Sequence, residues 1–119
     1  MATLTIYGYV DSDGTILKGS GFKTVHDDTG VYTLMFDNAS DGSDIFNDTP
    51  VVVVSQVYTG EMSYGGGDVT DNALVIALAI DRAKILTGNK NDNHQNRQFT
   101  FIAVGPSDYA DIGSAPLAK

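Results

Sequence analysis

Apolar and polar positions alternate from the start of the chain. Leu4, Ile6, Gly8 and Val10 fall on one side of an extended backbone and Thr5, Tyr7 and Tyr9 on the other, the period of a half-buried β-strand over Thr3 to Val10. The strand meets Asp11-Ser12-Asp13-Gly14, whose Asp-Gly pair suits a tight hairpin turn, and a short partner over Thr15 to Lys18 follows. After Gly19-Ser20-Gly21, the runs Phe22 to Val25 and Val31 to Phe36 flank the polar turn His26 to Gly30 and predict a second hairpin. Val31 to Phe36 is apolar at nearly every position, so little solvent is expected on either face of it.

Asp37 to Asp48 is rich in Asp, Asn, Ser and Gly and reads as a surface loop. Pro50 then marks the edge of a strand over Val51 to Tyr58, whose four consecutive valines suit a pleated strand covered on both sides. Glu61 to Asn72, with Gly65-Gly66-Gly67, reads as a long loop. Ala73 to Ile80 is a strand by length, with Leu74, Ile76, Leu78 and Ile80 on one face and Ala73, Ala77 and Ala79 on the other. Its Ala and Leu content, an Asn72 cap and Gly88 leave open a helix running on to Leu86. The polar stretch Gly88 to Arg97 is a loop, and Phe99 to Val104 is a buried-type strand closed by Gly105-Pro106.

Short strands punctuated by turns predict an all-β fold, an antiparallel β-sandwich of about six to eight strands. The sandwich domain is expected over 1–106, with a C-terminal tail over 107–119. The length suits a single domain that needs no disulfide, and the chain has no cysteine, which removes thiol chemistry and thiolate metal sites. A net charge of −8 repels phosphate backbones and anionic lipid, so neither nucleic acid nor membrane is an expected partner. Of the fifteen acidic residues fourteen are Asp, whose short side chain favours turns and caps. Neither a signal peptide nor a long apolar span is legible, so the chain reads as soluble; its compartment stays open, a virion or the extracellular space included.

Catalytic and cofactor motifs do not match. His26 and His94 lie in polar loops without a nucleophile signature, and Gly65-Gly66-Gly67-Asp68 puts an aspartate where a phosphate loop needs a cation. Asp37 to Asp48 has its glycine sixth, like a calcium loop, but Ala39, Asp44 and Asp48 break the ligand pattern. Asn38-Ala39-Ser40 fits a glycosylation acceptor. The chain is therefore expected to be no enzyme and to carry no cofactor or metal.

The densest group of hydrogen-bonding side chains is Asn91, Asp92, Asn93, His94, Asn96 and Arg97. Sugar hydroxyls both donate and accept, so these residues suit carbohydrate recognition, with Tyr58 or Tyr64 able to cover an apolar sugar face. The bland alternative is an ordinary solvated loop.

Over 46–105, about half the chain, the order of features resembles the H-type lectin fold, of which similar modules are used in phage tail fibres. The features are Thr49-Pro50 leading into Val51 to Val54, a variable loop, Asn72 to Ala77, a polar loop holding His94, and a closing Phe99 to Gly105. The resemblance implies a six-stranded sandwich that trimerises, with sugar sites near subunit boundaries built from loop His and Asp residues and a neighbouring arginine. His94 stands at the family's loop histidine. The family's strand arginine would fall near Leu74, where this chain has none, and Asn93 replaces the aromatic before the histidine. The first half, through Gly19-Ser20-Gly21-Phe22 and Thr29-Gly30-Val31-Tyr32, also looks like small bacterial and phage surface modules.

Two functions follow as expectations. One is a receptor- or glycan-binding homotrimer; the other is a structural or assembly component of a phage tail, a capsid or a bacterial surface, whose apolar strands supply subunit contacts.

Overall fold

The computed structural model of the chain describes residues 2–37, 42–58, 70–89, 91 and 93–109. They form a β-sandwich of eight strands: β1 (Ala2–Val10), β2 (Ile16–Gly19), β3 (Lys23–Asp28), β4 (Val31–Met35), β5 (Val51–Val57), β6 (Asn72–Leu78), β7 (Arg82–Gly88) and β8 (Gln98–Ser107). Two four-stranded sheets result, sheet A in the order β2-β1-β8-β5 and sheet B in the order β3-β4-β7-β6, with every pairing antiparallel.

The alternation in β1 decides which side faces inward. Ile6 and Val10 enter the core, Gly8 is buried beside them, and Tyr7 on the other face is 65 % exposed. Across the sandwich, sheet B contributes Tyr32, Leu34 and Ile85, and the crossing segments contribute Phe22, Phe36, Ile45 and Phe46. The rings meet mostly edge-on or tilted: Phe22 against Phe101 with centroids 4.8 Å apart, and Phe36 against Phe46 at 5.7 Å. Gly8 faces Phe22 and Phe101 so closely that a Cβ there would lie 2.4 Å from the Phe22 ring.

The turns follow local chemistry. In the β1–β2 hairpin the Gly14 amide donates to the Asp11 carbonyl at 2.9 Å, and Gly14 takes the positive φ of 92° that closes the turn. The Thr15 amide donates to the Asp13 carboxylate at 2.9 Å and holds the pKa of that exposed group below the usual carboxylate value. The β3–β4 turn is shorter than the sequence suggested, because His26 to Asp28 still belong to β3 and only Thr29 and Gly30 turn.

Three expectations change. The valine run in β5 is not covered on both sides: β5 is an edge strand of sheet A, and Val51 and Val53 are 67 % and 65 % exposed. The strand expected over Ala73 to Ile80 is β6, and the helix left open as far as Leu86 gives way to the hairpin β6–β7, closed by the Ala79 amide donating to the Arg82 carbonyl at 2.8 Å. In β6 it is small Ala73 that faces the core, while Leu74, Ile76 and Leu78 stay exposed and a bulge between Val75 and Ala77 shifts the register. Finally, β8 does not stop at Gly105-Pro106 but runs on to Ser107. Pro106 pairs with Thr3 on one side, and β5 has its first pair with β8 at Val104, so no ladder bond from the proline is missed.

Candidate functional site

Antiparallel pairing brings to one end of the sandwich the C-termini of β1, β3, β5 and β7 and the N-termini of β4, β6 and β8. The described residues of the polar loop 89–97, Tyr58, Asp71 and the β1–β2 and β3–β4 turns therefore meet there, although they are far apart in sequence. Of the sequence-predicted site residues, Asp92 and Tyr64 lie outside the described residues, as do the Asn38-Ala39-Ser40 acceptor and the Gly65-Gly66-Gly67-Asp68 stretch.

The rest divide into two groups. Asn96, although exposed, and half-buried Arg97 are tied by their side chains to other parts of the chain. The Asn96 Oδ1 accepts from the buried Gly30 amide at 2.7 Å and lies 2.9 Å from His26 Nε2. His26 in turn stacks on Tyr32, the planes 11° apart and the centroids 4.7 Å apart. The Arg97 guanidinium sits 4.6 Å from the centre of the Tyr58 ring and 3.9 Å from an Asp71 carboxylate oxygen. The Arg97 amide donates to the Tyr32 hydroxyl at 3.2 Å, and that hydroxyl donates to the Ser12 carbonyl at 2.7 Å. Burial of the Tyr32 ring raises its phenol pKa above the ordinary value. Beside this network Gln98 joins Asp11, at 3.1 Å, to the Tyr9 hydroxyl, at 2.6 Å. Such a web ties the loop to the β1–β2 and β3–β4 turns and leaves Arg97 only 17 % exposed in its side chain.

Asn91, Asn93 and His94 are on the outside. The Asn89 carboxamide oxygen accepts from the Asn91 amide at 2.9 Å, which folds the loop back, and the Asn89 amide donates to the Asn93 carbonyl at 3.1 Å. This turn sets Asn93 and His94 beside Asn72 and Asn89 around a small pocket of about 130 Å³, with Leu74 and Leu86 among its lining residues. Asn72 and Leu74 come from β6, which sequence reasoning did not connect with this loop.

A second surface was not among the sequence candidates. The outer face of sheet A carries cross-strand rows in which Ile102 stands between Tyr7 and Val53, and Val104 between Thr5 and Val51. A groove of about 490 Å³ runs over this face, lined by Tyr7, Tyr9, Lys18, Val53, Thr100 and Ile102 among others. The four strands of sheet A contain no Asp or Glu at all, and Lys18 is their only charged residue. In a chain of net charge −8 the acid falls in sheet B, in the segments between strands and after the end of β8. The sequence signal is Val51 to Val54, apolar at both parities, which in isolation suits cover within the domain as well as cover by another surface.

Among the described residues no three His, Asp or Glu side chains are grouped as metal ligands would be. Comparison with protein-family models, with curated proteins and with solved structures gives no match. The likeness to the H-type lectin fold therefore rests on the order of residues alone.

Proposed function

We propose that this chain is a non-catalytic assembly module, a β-sandwich that associates with itself through the outer face of sheet A. The observation that carries the reading is the segregation of charge: an apolar, carboxylate-free sheet face on a strongly acidic chain. Lone exposed apolar residues are ordinary on protein surfaces, whereas a contiguous apolar sheet face marks an interaction surface. Tyr7, Val51, Val53 and Ile102, each at least half exposed, are contiguous across three paired strands. This is the role of a structural component, as in a tail, a capsid or a surface layer. The test is the solution mass of the purified chain by light scattering at micromolar concentration. An oligomer is expected, and a strict monomer overturns the reading.

A second reading, recognition of a glycan or glycosylated receptor, is favoured by the pocket where Asn93 and His94 join Asn72 and Asn89 beside Leu74 and Leu86. Polar side chains around an apolar patch are what a sugar edge and its carbon-rich face require. Arg97, Asn96 and Tyr58 contribute less to it than their sequence positions suggested, since Arg97 pairs with Tyr58 and Asp71 and Asn96 ties down Gly30. A glycan array followed by calorimetry should show saturable binding that His94→Ala and Asn93→Ala both abolish. An array without a hit for the assembled protein removes this second reading.

A further inference from the structure

We infer that two copies of this chain pack face to face through sheet A about a two-fold axis, so that the unit of assembly is a closed dimer and not the trimer implied by the lectin resemblance. The inference rests on the self-association reading and specifies its geometry.

Three observations select a second copy as the occupant. The first is shape. Tyr7 is 65 % exposed and stands as a ridge beside the groove that it helps to line, so one face carries both a projection and a recess. A two-fold axis sets each projection into the other recess, the self-complementary arrangement of an isologous contact. A groove of about 490 Å³ accommodates a tyrosine ring. Its rim offers the Lys18, Ser55 and Thr100 side chains as partners for the incoming hydroxyl.

The second observation is charge. Two copies of a −8 chain repel each other wherever carboxylates meet. Sheet A lets them approach without bringing acid together, because its strands have none. A cationic partner would instead be drawn to the Asp-bearing edge of sheet B, where Asp27 and Asp28 lie on β3.

The third is area. The strands of sheet A have nine, four, seven and ten residues, and at about 3.3 Å of rise and 4.8 Å of strand spacing per residue the face covers roughly 480 Å² per copy in plan. Two such faces cover roughly 950 Å², close to the roughly 1,000 Å² from which specific interfaces begin and in the range of a reversible dimer.

The chain has no cysteine, so a single introduced cysteine reports symmetry without background. Ile102 stands mid-way along β8, between Tyr7 and Val53, near the centre of the face. Ile102→Cys and Val53→Cys are oxidised at native concentration alongside Val25→Cys, which places the thiol on the outer side of sheet B. Covalent dimer is expected from at least one sheet A position and not from Val25→Cys. In parallel, sedimentation of Ile102→Asp and Val53→Lys, with folding checked by circular dichroism, should show the dimer dissociation constant raised at least about thirtyfold, the effect of losing a central contact. Higher salt should strengthen the dimer by screening the acidic rims, whereas a contact held by ion pairs would weaken.

An oligomer that survives both sheet A substitutions and forms no sheet A cross-link overturns the two-fold face while leaving self-assembly standing. Cross-linking at Val25→Cys, or a trimeric mass, does the same. A monomer that dimerises only when the chain is cut after Tyr109 identifies residues 110–119 as the occupant and overturns the inference. A full-length chain that stays strictly monomeric overturns the self-association reading with it in either case.

Discussion

Replacing Gly8 by alanine tests the packing of the core at its tightest point. The backbone of β1 imposes no left-handed conformation at Gly8, so the only obstacle is space. An ideal Cβ falls 2.4 Å from Phe22 Cζ and 2.6 Å from Phe101 Cε1. Ordinary carbon contacts lie at about 3.5–4.0 Å, so the two rings have to yield by roughly an ångström. They have little freedom to do so, because both are buried and already meet edge to face at 88°. Overpacking of this kind costs about 1–3 kcal/mol, and the reduced freedom of the unfolded alanine chain returns about 0.4–1 kcal/mol. A net loss of about 0.5–2.5 kcal/mol follows, which lowers the midpoint of thermal unfolding by roughly 2–10 °C for a chain of this length. Urea unfolding is best followed by near-ultraviolet circular dichroism of the tyrosines and phenylalanines, since the chain has no tryptophan. The substitution Phe22→Leu alone should cost on the order of 1–2 kcal/mol by shrinking a buried side chain. Combined with Gly8→Ala it opens room for the new methyl, so the double variant should be more stable than the sum of the singles by about 0.5–1 kcal/mol or more. A Gly8→Ala protein as stable as the parent, or strictly additive effects, would refute the close-contact reasoning.

Asn96→Ala should destabilise by about 1–3 kcal/mol, because it leaves the buried Gly30 amide without its acceptor, while Asn96→Asp keeps an acceptor and should lose less; denaturant titration of the pair decides. Arg97→Ala should cost about 1 kcal/mol by removing the stack on Tyr58 and the ion pair with Asp71, and Arg97→Lys should recover only part of it, since lysine lacks the planar guanidinium; equal stability of all three proteins would show the cluster to be energetically idle. Burial raises the Tyr32 pKa, so above about pH 10 the unfolded chain gives up a proton that the folded chain retains. The Tyr32 contribution to stability is thus complete below that pH and declines as pH rises through the raised folded value. Thermal melts from pH 8 to 11 should show a shallower alkaline decline for Tyr32→Phe than for the parent, and parallel curves would refute the assignment.

How much was legible along the chain differs from element to element. In β1 the alternation of Leu4, Ile6 and Val10 with Thr5, Tyr7 and Tyr9 is fixed by the pleat, and the structure follows it residue by residue. The hairpin at Gly14 and the almost wholly apolar β4 are equally plain, because turn chemistry and hydrophobic runs act within a few residues. The loop at 89–97 was recognisable as polar, but not the use of its members. Asn96 and Arg97 look identical to solvated residues until Gly30, Tyr58 and Asp71 arrive from other parts of the chain.

The sequence by itself therefore determined the class of fold, the positions of most strands and the exclusion of acid from what became sheet A, since each is written in local composition and period. Tertiary structure alone decided which strands became edges, and with them what the apolar residues face. Val51 and Val53 carry the same side chains whether an inner layer or solvent lies beyond them, and only the pairing order β2-β1-β8-β5 leaves them outside. Likewise Leu74 pairs with Leu86 on the outer side of sheet B and the bulge after Val75 leaves Ile76 unpaired, so strand pairing with β7, and not hydrophobicity, keeps both out of the core.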